Sequence, residues 1–417
     1  MTQRSVVVGI ALALFAGGLF LPQSAWAVPA FARAYNEPCS TCHTAWPRLN
    51  ATGREFKENG YAWERGEPEA MKHIEKLANL PITFPLATVV KLRPYDKKED
   101  KTTKLRALHE IELFVAGNAW NYGSFFAEFE LEDENRFDFE TAHAAGGFHP
   151  FQWGNLLLAY SRVFHCDPYD TLTNGRKLTR SSRQALVQPG LSGVKVDSTT
   201  QNVEVCGRDP WIKKVFYAGA YSADVKTDDL VKNMPADEVT EIVFEGEGPK
   251  DWSGRLVFDV LPLDAVPDVN LSVGTFLING HQTDATGRAL HFDRYGFDLQ
   301  AEYVGANLLF AFVRQEDDQA PGMALATNNL WYVEGFYAFD QDVMQSIGLP
   351  LAAIVPSFRV DRFEKNNGMD DFTDLTFNLS VYPWENVRFY LEYFDRVDEP
   401  VGEDEPSRVT VQVELGF

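Results

Sequence analysis

The chain has 417 residues, with 60 Asp and Glu against 38 Lys and Arg, and a formal charge of −22 at neutral pH. That acidity argues against nucleic acid, whose phosphates it would repel, and suits cationic partners, metal ions among them. Hydrophobic residues make up 45% of the chain, yet beyond the N-terminus no stretch reaches the ~18 consecutive apolar residues of a helical membrane span.

Residues 1–27 open with a basic Arg4, run apolar from Val6 to Leu21, and reach small residues at Ala25-Trp26-Ala27. This is the pattern of a secretory signal peptide cleaved after Ala27, with an uncleaved anchor as the alternative.

Next comes Cys39-Ser40-Thr41-Cys42-His43. Cys-x-x-Cys-His is the attachment signature of c-type haem. Its two thiols add to the haem vinyl groups, and the adjacent histidine becomes the proximal iron ligand. A dithiol redox site would expect a βαβ context, and zinc would want two further ligands at suitable spacing. Neither context is visible here. One covalent haem is therefore predicted, with Cys39 and Cys42 as tethers and His43 under the iron. For the opposite position, Glu67–Asn79 reads as a short helix with Met71, Ile74 and Ala78 on one face. Met71 and His73 are the nearest candidate distal ligands. His109 and His149 would have to reach in from elsewhere, and an open sixth position is the other alternative. Residues 28–80 make a small, partly helical haem domain, too short to build a substantial core alone.

From about Pro81 the hydrophobic period becomes two. Ala127, Phe129 and Leu131 alternate with Glu128, Glu130 and Glu132; Leu375, Phe377, Leu379 and Val381 alternate with Thr376, Asn378 and Ser380. About sixteen such segments fit between residues 83 and 417, including weak ones at 210–224 and 239–246. Strands of about ten residues with aromatic residues near their ends, and tight turns alternating with long polar loops, favour an all-β antiparallel outer-membrane barrel over residues 81–417. A soluble sandwich is the alternative. In such barrels short turns are periplasmic and long loops extracellular. The longest connection, about 165–209, then lies outside, tied by a Cys166–Cys206 disulfide, with His165 at the surface. Several outward loops are acidic, and inward Glu128 and Glu130 could continue a cation-gathering field; plain solvated surface is the alternative.

Pro29-Ala30-Phe31-Ala32-Arg33, the Cys39–His43 motif, Pro47-Arg48-Leu49-Asn50, Gly53-Arg54-Glu55-Phe56-Lys57 and Gly60-Tyr61 together resemble the haem segment of the fused outer-membrane cytochrome–porins. That family is best known from iron-oxidising bacteria. A terminal Phe417 also resembles outer-membrane barrels. Two departures stand out: Ala34-Tyr35-Asn36 where that family often has Gln-Thr-Gly, and Thr52 where a Phe commonly precedes the Gly-Arg. The resemblance implies a haem domain plugging the barrel. Electrons would enter from extracellular Fe(II) and leave to a periplasmic cytochrome c or copper protein, an iron:cytochrome c oxidoreductase type of activity. The same conduit reducing extracellular acceptors, and a diffusion porin with a structural or sensory haem, remain alternatives.

Overall fold

The computed structural model describes residues 30–35, 37–64, 76–77, 80–81, 86–98, 103–119, 122–222, 251–261, 269–283, 289–319, 323–365, 370–399 and 407–417. Helix α1 spans Ala30–Tyr35, a 3₁₀ turn Cys39–Thr41, β1 His43–Ala45, β2 Arg48–Leu49 and α2 Ala51–Glu58. A two-stranded ribbon pairs β3, Lys76–Leu77, with β4, Leu80–Pro81. Lys76 and Leu77 are thus extended, not the end of the expected helix over Glu67–Asn79. Met71 and His73 lie outside the described residues.

Sixteen antiparallel strands then close on themselves. They are β5 Leu86–Lys98, β6 Lys104–Ala119, β7 Gly123–Glu132, β8 Glu140–Phe151, β9 Gly154–Arg162, β10 Thr199–Arg208, β11 Val215–Ser222 and β12 Asp251–Leu261. The second half comprises β13 Val269–Thr283, β14 Ala289–Tyr303, β15 Ala306–Asp317, β16 Ala326–Tyr337, β17 Ala353–Lys365, β18 Asp370–Trp384, β19 Val387–Asp398 and β20 Arg408–Gly416. Closure is between β20 and β5, with Val413 opposite Leu92 and Leu415 opposite Val90.

The alternation sets which face is which, because successive strand residues point to opposite sides. On β18, Phe377 and Leu379 are about half exposed, while Thr376, Asn378 and Ser380 are buried. Leu256 and Phe258 on β12, Phe358 on β17, and Leu391 and Tyr393 on β19 repeat the pattern. Apolar residues outside and polar ones inside is the inverse of a soluble barrel. It places this chain in the outer membrane, with lipid covering the apolar band.

Two features differ from the expected strand map. Thr199–Arg208, expected as loop, is a wall strand paired with both β9 and β11. The strand expected at 239–246 lies outside the described residues, and β11 and β12 pair directly with one another. The short connections fall at one end, as between β14 and β15, where Gly305 turns with φ +81°. A Cβ there would lie 2.7 Å from the Ala338 carbonyl oxygen, so only glycine fits that turn. The connection from β16 to β17 is an exception: it holds helix α4, Gln341–Ser346, capped by Asp340. Expected strand residues 346–352 belong to this connection.

The larger correction concerns the segment between β9 and β10. It folds into the barrel rather than outward. Its Leu178, Ala185 and Leu186 are fully buried. Arg183 Nε donates to Glu334 on β16 at 3.1 Å, and Ser181 Oγ to Glu392 on β19 at 2.9 Å. Helix α3, Gln184–Val187, sits against β16 and β17. The segment is polar in sequence because its partners are the polar lumen wall, not water.

Candidate functional site

The Cys39–His43 motif is held at the short-turn mouth of the barrel. The Cys39 amide donates to Glu385 Oε2 at 2.6 Å, and Ser40 Oγ to Glu385 Oε1 at 2.7 Å; Glu385 lies between β18 and β19. Arg33 donates to the Leu86 carbonyl at the start of β5. From Cys39 the chain turns back sharply, with Cys42 N donating to Cys39 O at 3.1 Å. It then forms a β1–β2 hairpin that pairs His43 with Leu49.

Helix α2 follows because Asn50 caps it, Oδ1 accepting from Gly53 N at 2.9 Å. Gly53 lets the helix pack directly on the motif. A Cβ at that position would lie 2.1 Å from the Cys42 carbonyl oxygen. The helix is then pinned to the barrel wall. Arg54 Nη1 and Nη2 donate to Glu302 Oε1 and Oε2 at 2.6 and 2.8 Å. Arg208 returns the arrangement from β10, donating to Glu58 at 2.8 and 2.6 Å and to Asp259 at 2.5 Å. Arg48 pairs with Glu334, the carboxylate that also receives Arg183 from the inward segment. One wall residue therefore joins the two plugs. Paired, hydrogen-bonded guanidiniums are the form in which such charges tolerate burial.

Burial, then the neighbouring Glu385 carboxylate, pushes the Cys39 thiol up to about 12. Burial, then Glu37, pushes Cys42 up to about 11. Burial lowers the His43 imidazole below its usual pKa, opposed by backbone carbonyls of Arg48 and Pro47, which keeps the ring neutral at pH 7. Among the described residues His43 Nδ1 is buried without a hydrogen-bond partner. A donor set of two adjacent thiols and a neutral imidazole fits a c-type haem.

Among the described residues, one side of the lumen is less filled than the other. Inward residues of β16 to β20, such as Glu334, Arg359, Asp361, Thr376 and Thr410, are fully buried. Facing them, Phe126, Glu128 and Glu130 on β7 and His143 on β8 are only partly buried. A cavity of about 260 Å³ opens there, lined by Glu130, His143, Tyr160 and Arg162 among others. Above it the wall is acidic. Glu110 pairs in register with Glu132, and Glu112 with Glu130. Carboxylate oxygens of Glu110, Glu112 and Glu130 lie within 4.8 Å of one another. Lys91 donates to Glu110 and Glu112 at 3.0 and 2.5 Å. Like charges directly opposite across strands are costly, and the Lys91 ammonium offsets part of that cost here.

The remaining expected residues fall as follows. Cys166 and Cys206, the expected disulfide partners, come together beside Glu204. Cys166 Sγ donates to Glu204 Oε1 at 2.8 Å, and Cys206 also approaches it. Neither lies on an outer loop: Cys206 is on β10, and Cys166 begins the inward segment. His165, expected at the surface, is buried in the lumen with only 8% exposure. His149 Nε2 lies 2.7 Å from Ser124 Oγ and its Nδ1 3.2 Å from Asn155 Oδ1, so both ring nitrogens are engaged. His109 sits toward the long-loop end, its Nδ1 2.8 Å from Asp133. Sequence reading missed the capped α2 and the wall acids Glu302 and Glu334. Asn50 three residues before Gly53 was the available signal for the first; the second had none.

No family model matches the chain, and no curated protein does. Solved structures do. OmpF of Salmonella typhi in complex with daunomycin is similar at 10% identity and TM-score 0.55, over 80% of this chain and 97% of that one. OmpT of Vibrio cholerae gives 10% identity and TM-score 0.51, over 80% and 98%. An anion-selective porin from Comamonas acidovorans gives 12% and 0.51, again over 80% and 98%. Likeness at these identities speaks to the fold alone, and the fold is the 16-stranded porin-type barrel of the outer membrane.

Proposed function

We propose that this chain is an outer-membrane electron conduit of the cytochrome–porin kind. A c-type haem held by Cys39, Cys42 and His43 would supply the one-electron couple between extracellular Fe(II) and a periplasmic cytochrome c or copper protein. The observation that carries the reading is the position of Cys39–His43: inside the short-turn mouth of a membrane barrel, clamped by Arg54–Glu302 and Arg48–Glu334.

Cys39 and Cys42 would tether the haem, and His43 would hold its iron. When bound, the haem supplies a one-electron couple in a place where lipid would otherwise insulate. The chain's own residues do the rest. The two plugs fill the lumen beside β16 to β20 and exclude bulk water there. Glu302 and Glu334 fix the motif's depth. Glu110, Glu112, Glu128, Glu130 and Glu132 descend from the long-loop end and favour a divalent cation approaching from outside. No proton transfer is required.

The porin fold by itself supports a second reading, a diffusion pore with a structural or sensory haem. The buried ion pairs across the lumen weigh against it, because they occupy the channel that solutes would use. The test is spectroscopic. Purified protein should carry one covalent haem whose spectrum reduces on adding Fe(II), and the Cys39→Ala/Cys42→Ala variant should carry none. A haem inert to Fe(II) rejects the iron reading, and a chain without covalent haem rejects the conduit.

A further inference from the structure

His165 occupies an unusual position for a histidine. It lies at the start of the inward segment, more than nine-tenths buried. Among the described residues its Nε2 is buried with no hydrogen-bond partner. A lone polar nitrogen in such a place is a cost that a protein normally removes by pairing. His149 illustrates the satisfied alternative, with both ring nitrogens engaged.

The surroundings tie His165 to the motif. Helix α2 touches Cys42 at Gly53 and, one turn further along, Lys57 Nζ donates to the Asp167 carbonyl at 2.9 Å. Residues four apart lie on one helix face. The motif and the start of the inward segment therefore flank the same face of α2. A second connection is aromatic. The His165 ring lies 5.6 Å from Phe126, Phe126 is 6.1 Å from Tyr61, and Tyr61 stacks 5.2 Å from Phe31 of the haem segment. His143, which lines the cavity, is 6.4 Å from His165. A buried imidazole packed on an aromatic chain that reaches the Cys39–His43 segment, with Lys57, Arg162 and Arg176 also near it, is placed to act as a haem ligand.

We infer that His165 is the distal ligand of the haem iron, supplied by the barrel's inward segment and not by the haem segment itself. The inference rests on the proposed covalent haem. It also gives the Cys166–Glu204–Cys206 contacts a purpose. They fasten the residue next to His165 onto β10, so that the imidazole is held in place before the haem arrives. His143 also has a ring nitrogen without a partner among the described residues and also feels Lys57 of α2; His165 is preferred because it is the more deeply buried and adjoins Asp167, whose carbonyl accepts from Lys57.

The experiment uses full-length protein in detergent, with covalent haem quantified first and the ferric spin state read by electron paramagnetic resonance. Wild type should be low-spin. His165→Ala should keep its covalent haem and become high-spin, and added imidazole should restore the low-spin signal. His165→Met should stay six-coordinate with a raised reduction potential, as a thioether ligand gives. His143→Ala should remain low-spin. Heat-modifiable gel migration of each variant reports whether the barrel has folded. Absence of covalent haem in wild type defeats the proposed function itself. With haem present, a high-spin wild type, or a His165→Ala protein that stays low-spin, overturns the assignment of His165 alone. Conversion by His143→Ala in place of His165→Ala does the same.

Discussion

Glu302→Gln removes one partner of a bidentate pair and leaves the Arg54 guanidinium in its site. Arg54 is 1% exposed, Glu302 14%, and their two bonds are 2.6 and 2.8 Å. Breaking a buried pair from one side costs about 3–5 kcal/mol. Glu302's partial exposure argues for the lower end, about 3 kcal/mol. At tenfold per ~1.4 kcal/mol, that raises the undocked fraction of the haem segment roughly a hundredfold. Proteolysis reports this population when opening and closing are fast compared with cleavage. Trypsin should therefore cut within residues 30–64 about a hundred times faster than in wild type, while the folded barrel keeps its heat-modifiable migration. Arg54→Met/Glu302→Leu replaces both charges with apolar side chains and should recover to within about 1 kcal/mol of wild type, since a dry pair is close to neutral against a hydrophobic one. Cleavage of Glu302→Gln within twofold of wild type would refute the clamp. So would a double variant as labile as the single.

Two further perturbations separate competing expectations. Gly53→Ala should stabilise an isolated helix by up to ~1 kcal/mol. Here its Cβ would meet the Cys42 carbonyl oxygen at 2.1 Å, so we expect a net loss of about 1–3 kcal/mol in docking and a lower yield of covalent haem by haem staining. Leu379→Arg puts a charge on the lipid face of β18 and should cost about 2–4 kcal/mol near the bilayer midplane, read by urea unfolding in lipid vesicles.

Much of this architecture is written in local patterns. The period-two alternation of Thr376–Ser380 against Phe377–Leu379 marks strand, spacing and lipid face at once. The number of strands came out right, but one member was misplaced. Thr199–Arg208 carries Val203 and Val205 outward against Asn202 and Glu204 inward, the same alternation as its neighbours. It was hidden because it follows a long polar stretch that resembles an outer loop. That stretch is polar for a different reason: Arg176, Arg183 and Ser181 face Asp170, Glu334 and Glu392 inside the barrel. Sequence records polarity but not whether water or a buried carboxylate satisfies it. The same limit explains His165, whose role depends on the direction its segment takes. The motif itself was legible because its chemistry is contiguous. The anchors that hold it, Glu302, Glu334 and Glu385, lie hundreds of residues away and are set by barrel registry alone.

In a conduit of this kind charge crosses the membrane through this one centre. Proteoliposomes containing the purified protein, with oxidised cytochrome c enclosed and Fe(II) added outside, test that directly. The enclosed cytochrome c should be reduced by wild type, and not by Cys39→Ala/Cys42→Ala protein inserted to the same level. An enclosed acceptor that stays oxidised with haem-loaded wild type, or one reduced equally well by the cysteine variant, would contradict the conduit.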